Sequence, residues 1–474
     1  MSNLAKNTSA YLFCLAVAGI GILCASTASA QVSVIGGRGV VLSELAGTDT
    51  YVTVVLKGSF ARDRNLRIIE VGDSYFAVRL PNGERHVYRF IDVRELRIQR
   101  GRIGTHNSES SSRFTILNED EQSVADRALA KAEELTNQRQ LNITIRIQAV
   151  TVLAAAGNLD ALRSLQELTN SDDLGTALKA ATYLHIVGEP PSAELLRQGL
   201  ASGNRVTRAS AARLVGLSES EIYREAIHDM LEDPIPEIFP SAARATGRLG
   251  NNGARTKLLI DALSARNEEK ADAAIFALAA LGGEDIHQTL LKKLDTSKGI
   301  IWFRIVQVLY ALEDETAQKL MVNECMRSPA FAPEASIILA RNGDWSASLY
   351  LRDQLEKRRD PNRENLAYMA RVAATLVSIG DLQANKTLRY LLNMTEKDIF
   401  ARGKYSDPTY KIDTLKDTQV LVCNLMSDIG DESLLPLANT AIDSPFPEVA
   451  IAACETAIAI ANPEYRKRLM ESRI

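Results

Sequence analysis

From about residue 119 to the end of the chain, hydrophobic positions recur with two nested periods. Within a unit, a small residue is followed four positions later by an apolar one, usually Leu. Three positions further comes another apolar residue, then Gly or a polar stop. Ala149, Leu153, Ala156, Gly157 is the first copy; Ala180, Leu184, Val187, Gly188 and Ala274, Leu278, Leu281, Gly282 are later ones. The stops fall at 157, 188, 218, 250, 282, 313, 343, 380, 430 and 462, and seven of the nine intervals are 30–32 residues, which marks one structural unit used about ten times. Spacings of four and three put these residues on one helical face. The small residue admits a close neighbour, and Gly takes the left-handed conformation that ends a helix. A second apolar-periodic run follows each stop, as in 159–168 and 254–263. Each unit is therefore read as a helical hairpin, which buries its apolar face only by stacking on others. A helix over 121–135, with Val124, Ala128, Ala132 and Leu135 in one stripe, is expected to be the N-terminal cap, and charged 464–471 the opposite cap.

Upstream the pattern changes to β-branched and alternating runs. Tyr51–Leu56, Leu66–Val71, Ser74–Leu80, His86–Phe90 and Arg94–Ile98 read as five short strands over 31–100, with turns at Gly72-Asp73 and Pro81-Asn82-Gly83. Strands this short protect their edges by curling into a barrel. Ser-rich 101–118 reads as a flexible linker to the helical part, 119–474.

The helical part, over about 140–474, resembles the HEAT-repeat family, and in particular is similar to the short repeats of the phycobilisome-lyase type. The β-rich part, with Leu56-Lys57-Gly58 after an early strand, resembles small SH3-like or Sm-like barrels. The resemblance implies a mainly α solenoid of about ten hairpins behind a small β-barrel-like domain. It also implies that second helices line the concave, partner-binding face, which would place Arg197, Arg224, Lys257, His287 and Lys319 there. Some proteins of the lyase branch attach bilins, but no motif for that chemistry is present.

The first 30 residues read as an export signal. Lys6 precedes an apolar run over 11–24, too short for a comfortable membrane span, and Ala28 and Ala30 fit cleavage before Gln31. Localisation is therefore expected to be periplasmic or secreted, with no transmembrane span after signal removal. Of five Cys, Cys14 and Cys24 lie in the signal, and Cys325, Cys423 and Cys454 read as buried apolar residues rather than a disulfide framework. Net charge is −4, divided as +1 in residues 1–30, +4 in 31–102 and −9 in the rest. The basic module fits an anionic envelope partner, and export argues against nucleic acid.

Catalytic signatures are missing. His86, His106, His185, His228 and His287 stand apart, and no Cys-x-x-Cys, His-Glu-x-x-His, Gly-x-Ser-x-Gly or Walker pattern occurs. No enzyme activity, metal or cofactor is expected. The array departs from its period twice, with intervals of 37 and 50 residues, and the longer holds an insertion at 396–413 that carries Phe400, Tyr405 and Tyr410 beside Arg402, Lys404 and Lys411. Aromatics and Arg are preferred interface anchors, so Phe400, Arg402, Tyr405 and Tyr410 are candidate partner contacts. The leading expectation is an exported scaffold that binds a protein partner through the solenoid. The alternatives are an envelope adaptor whose basic barrel holds an anionic polymer or lipid headgroup, and an enzyme with a site assembled from distant residues. For the export reading, N-terminal sequencing of protein recovered from outside the cytoplasm should begin at Gln31; a chain that keeps residues 1–30 contradicts it.

Overall fold

The computed structural model describes residues 31–33, 51–56, 62–71, 75–79, 85–89, 93–99, 119–250, 255–357, 360–399 and 408–473. The export segment and the 101–118 linker lie outside them.

Six strands form one sheet: β1 (Gln31–Ser33), β2 (Tyr51–Leu56), β3 (Arg62–Val71), β4 (Tyr75–Arg79), β5 (Arg85–Arg89) and β6 (Val93–Gln99). Their order is β1-β6-β2-β3-β4-β5, and every pairing is antiparallel. All five expected strands are present, with β1 as an addition. The expected barrel is not met: among the described residues no pairing of β5 with β1 closes the sheet.

Twenty-one α-helices follow among the described residues. The first seven are α1 (Glu119–Asn137), α2 (Ile143–Ala155), α3 (Leu159–Leu168), α4 (Leu174–Val187), α5 (Ala193–Leu200), α6 (Arg205–Leu217) and α7 (Arg224–Asp229). Next come α8 (Phe239–Leu249), α9 (Thr256–Ala262), α10 (Glu268–Leu281), α11 (Glu284–Leu294), α12 (Gly299–Ala311), α13 (Glu315–Asn323) and α14 (Ala332–Arg341). The last are α15 (Trp345–Glu356), α16 (Arg363–Ser378), α17 (Asn385–Leu392), α18 (Pro408–Ile429), α19 (Leu435–Ile442), α20 (Pro447–Ala461) and α21 (Pro463–Arg473). The ten stop-bearing helices are the even-numbered ones.

The stops work by backbone geometry. Seven of the predicted stop glycines have positive φ, among them Gly157 at 93° and Gly430 at 63°. In six units the next N–H donates to the carbonyl five residues back, as Asn158 does to Leu153 (3.1 Å) and Asp344 to Leu339 (2.9 Å). The recurring Leu of the sequence pattern is that acceptor in five of the six. The donating residue often caps the next helix as well: Asn158, Asp314 and Asp344 accept from backbone N–H groups of α3, α13 and α15. One helix thus ends and the next begins with no linker between them. The third stop lies at Glu219 (φ 49°), one residue after the expected Ser218. At 462 the expected stop is not left-handed; Asn462 (φ −125°) instead leads into α21.

The even helices form the inner layer, and apart from α12 and α14 each packs closely on the next. They are buried nearly all round: every residue of α20 from Val449 to Ala461 is buried. Small residues permit this closeness. A Cβ on Gly216 would lie 2.6 Å from Ala245 Cα, and one on Gly247 would lie 2.9 Å from Ala277 Cα. The odd helices from α3 to α19 cover this layer and bury a narrower stripe, only Ala161 and Leu165 in α3. Phe303 packs in the core, stacked on Phe331 at 4.6 Å between centroids. Cys325, Cys423 and Cys454 are buried free thiols.

The array does not end in two caps. α20 packs against α18 on one side and against α1 and α2 on the other, and α19 also meets α1, so the solenoid closes on itself. Val124, Ala128, Ala132 and Leu135 join the same apolar cluster as Ile451, Ile458 and Leu469. Arg127 of α1 donates to Asn439 Oδ1 in α19 (2.5 Å) and pairs with Asp443 (2.6 Å). The C-terminal segment expected to be a cap is α21, which crosses to pack on α4, α18 and α20.

Glu219 and Glu313 (φ 63°) are the two non-glycine residues with positive φ among those described. The left-handed region costs an L-residue about 1–2 kcal/mol, and Gly adds back about 0.4–1 kcal/mol of unfolded-state entropy. Glu313→Gly and Glu219→Gly should therefore each stabilise the array by roughly 0.5–1 kcal/mol, read as a higher urea midpoint. A lower midpoint contradicts the assignment of these positions to helix stops.

Candidate functional site

Of the insertion residues, Phe400, Arg402 and Tyr405 lie outside the described residues. Tyr410 is described: it sits in the first turn of α18, half-buried and packed on the core. Its hydroxyl accepts from Arg363 N–H at 3.5 Å. The insertion is also less loop-like than expected, since 396–398 form a 3-10 turn and 408–413 are helical.

The five expected concave-face residues lie on odd helices, the outer layer. The even helices α4, α18 and α20, not the odd ones, receive α21. The reversal has a geometric reason. The N-terminal α1 pairs with α2, so each hairpin ends, rather than begins, with a stop-bearing helix. The five residues do not converge. Arg197 makes a two-bond pair with Glu194 at 2.6 and 2.9 Å and draws that carboxyl down to about 2. Arg224 pairs with Glu221 at 3.2 Å, and Lys319 with Glu315 at 4.0 Å. His287 Nε2 meets Asp314 at 2.9 Å, which ties α11 to the cap of α13. Lys257 is exposed on α9.

The inner side is organised by α21. Asn462 accepts from Tyr465 N–H, capping α21, and its Nδ2 donates to Ala155 O at the end of α2 (3.1 Å each). Arg466 donates to Gly430 O at 2.8 Å, and Arg248 of α8 donates to Glu471 O at 2.6 Å. Tyr465 and Leu469 are buried one turn apart. Arg473 donates to Asp428 of α18 at 2.9 Å and lies 3.5 Å from Glu455 of α20. Both carboxylates are nearly inaccessible, at 3% and 4%. Burial pushes the Glu455 carboxyl up, while Arg473 and a hydrogen bond from Gln148 of α2 pull it down. Sequence reading misses this seam, because the run of charged residues in 463–473 suggests a solvated end.

The outer layer carries a second feature. Ten large hydrophobic side chains are exposed among the described residues, and four of them fall on α15 and the segment from Leu382 through α17: Trp345, Leu349, Leu382 and Tyr390. Arg352 joins the two elements. Its guanidinium lies 5.2 Å from the Trp345 ring centroid, and its Nε donates to Asp381 at 2.5 Å. Exposed Lys386 and Arg389 flank Tyr390. Among the described residues no group of three His, Cys, Asp or Glu is placed to hold a metal, and no helix is long and apolar enough to cross a membrane.

The repeats now have an external comparison. Residues 132–216 match the family described as HEAT repeats. The match spans α1 to α6 and supports a HEAT-repeat family for the array. No curated protein is similar enough in sequence to match the chain. Among solved structures, human deoxyhypusine hydroxylase in complex with glycerol is similar at 18% identity and TM-score 0.24, over 54% of this chain and 97% of that one. A mutant of Kap121p is similar at 13% identity and TM-score 0.30, over 72% of this chain and 37% of that one.

The α21 seam gives a direct test. Replacing Arg473 with Met leaves Asp428 and Glu455 buried without their cation, which costs about 3 kcal/mol. Arg473→Met should lower the urea midpoint accordingly; an unchanged midpoint means α21 is not part of the cooperative fold.

Proposed function

We propose that this chain is an exported, non-enzymatic scaffold that binds a protein partner on the outer layer of its helical array. HEAT repeats at 132–216 support an interaction role. The closed array supports the outer location: α21 covers the inner layer at α4, α18 and α20, while the odd helices offer an extended surface. The observation that carries the reading is exposed Trp345 with Arg352 over its ring, on a layer that also exposes Leu349, Leu382 and Tyr390. In a chain with two Trp, exposing one against Arg has the make-up of an interface anchor. The repeats' likeness to the short lyase-type units and the likeness of the N-terminal strands to small SH3-like or Sm-like folds belong to this reading, without any activity carried over. Residues 1–30 supply the export part of it.

The test is partner retention from an envelope extract, with the full mature chain as bait. Trp345→Ala combined with Leu382→Ala should keep the helical circular dichroism and weaken capture of the principal partner about 30-fold, as expected when an anchor worth about 2 kcal/mol is lost. Deleting 31–100 should leave capture intact. Capture that is lost with 31–100, falls steeply with salt and ignores Trp345 would support the adaptor reading based on the basic N-terminal part instead.

A further inference from the structure

Glu455 stands where the array closes. It is a buried residue of α20, and its carboxyl bridges α2 and α21. Both bridges are long. Gln148 Nε2 of α2 donates to its Oε1 across 3.4 Å, and Arg473 Nη2 of α21 donates to its Oε2 across 3.5 Å. A charge-assisted hydrogen bond to a carboxylate runs about 2.7–2.9 Å. Arg473 makes its shorter bonds elsewhere, through Nη1 to Asp428 Oδ1 at 2.9 Å and to Asn424 O at 3.1 Å. Arg466 of α21 adds a second cation near Asp428. Of the two buried acids in this seam, Asp428 is the one held as a carboxylate, and Glu455 lacks a close cation.

The other groups around Glu455 do not supply one. Tyr465 of α21 and Tyr183 of α4 are phenols that burial holds above their usual range, so they stay neutral. Cys423 of α18 and Cys454 of α20 are thiols pushed up by burial in the same way. Lys131 of α1 and Asp443 of α19 act on Cys454 rather than on Glu455. Tyr465 Oη and Ser427 Oγ are buried without a hydrogen-bond partner among the described residues, so the seam offers a charge little solvation. A carboxyl in such a place takes up a proton rather than stay ionised. Burial pushes Glu455 up from the ordinary carboxyl range, against the pull of Arg473 and Gln148.

We propose that Glu455 is a pH-sensitive latch on the closed array: as a neutral acid it lets α21 and α2 seat on α20, and when it ionises α21 loosens. The latch goes beyond the scaffold reading and does not depend on it, because it concerns the inner seam and not the outer layer. With the seam open, Glu455 meets water and titrates in the ordinary range; with it closed, it titrates higher. Between those two values closing takes up a proton. Closure is therefore firmest on the acid side and weakens as pH rises, by up to about tenfold in the closed-to-open ratio per pH unit.

Native-state hydrogen exchange of the full mature chain, run from about pH 5 to pH 9, spans the window above the ordinary carboxyl range. The readout is the protection of α21 relative to α10, which cancels effects common to the whole array. In the wild type this ratio should fall as pH rises. Glu455→Gln keeps the shape without the charge, so its ratio should hold steady and exceed the wild type by a margin that grows with pH. Circular dichroism verifies that the variant is folded; should it not be, the wild-type series decides alone. A wild-type ratio that stays flat or rises with pH overturns the latch. A fall that persists unchanged in Glu455→Gln assigns the proton to another group and overturns it equally.

Discussion

The packing of α20 against α1 and α2 is the contact on which the rest of the structure depends. A linear stack of hairpins has two ends, each with an apolar face that only a polar cap can cover. Here each end covers the other. The unbroken buried run of α20, Val449 to Ala461, is tolerable because nearly half of it is alanine on a helix with neighbours all round. The same closure explains why α21, for all its charged residues, is drawn inward. It runs across the ends of α2 and α18, where Ala155 and Gly430 offer carbonyls to Asn462 and Arg466.

Closure also sorts the surfaces. In an open HEAT array the concave face is a groove for partners. Here the chain's own last helix covers that side at α4, α18 and α20, which leaves two different kinds of surface. The outer layer is broad, and its charges pair both within single helices, as in Arg197–Glu194, and between neighbouring elements, as in Arg352–Asp381. Its exposed aromatic cluster suits a protein partner. The inner side is enclosed, and its polar groups are few and concentrated, as in Arg473 between two carboxylates.

Much of the fold is legible in the sequence, because strands and helix ends are set locally. Gly157, Gly188 and Gly343 mark helix ends since the left-handed backbone they adopt is unfavourable for other residues. Glu313 hides its role behind a side chain that tolerates the same geometry at a cost. Closure is not legible. It depends on the small rotation between neighbouring hairpins, summed over the array, which no single motif encodes. The phase of the hairpins is obscured for a related reason: the stop is the loudest signal and reads as the middle of a unit, when it is the end of one. Tyr410 has the same ambiguity: an aromatic beside an insertion has the look of an interface anchor, and its ring is held by the start of α18.

Native-state hydrogen exchange over the helical part measures closure most directly. Ends of an open repeat array fray, with amide protection falling toward each terminus. In a closed array, amides of α1 and α20 should exchange as slowly as those of α8 and α10 in the middle. Fast exchange in α1 and α20, with protection rising toward the centre, would contradict the closed array.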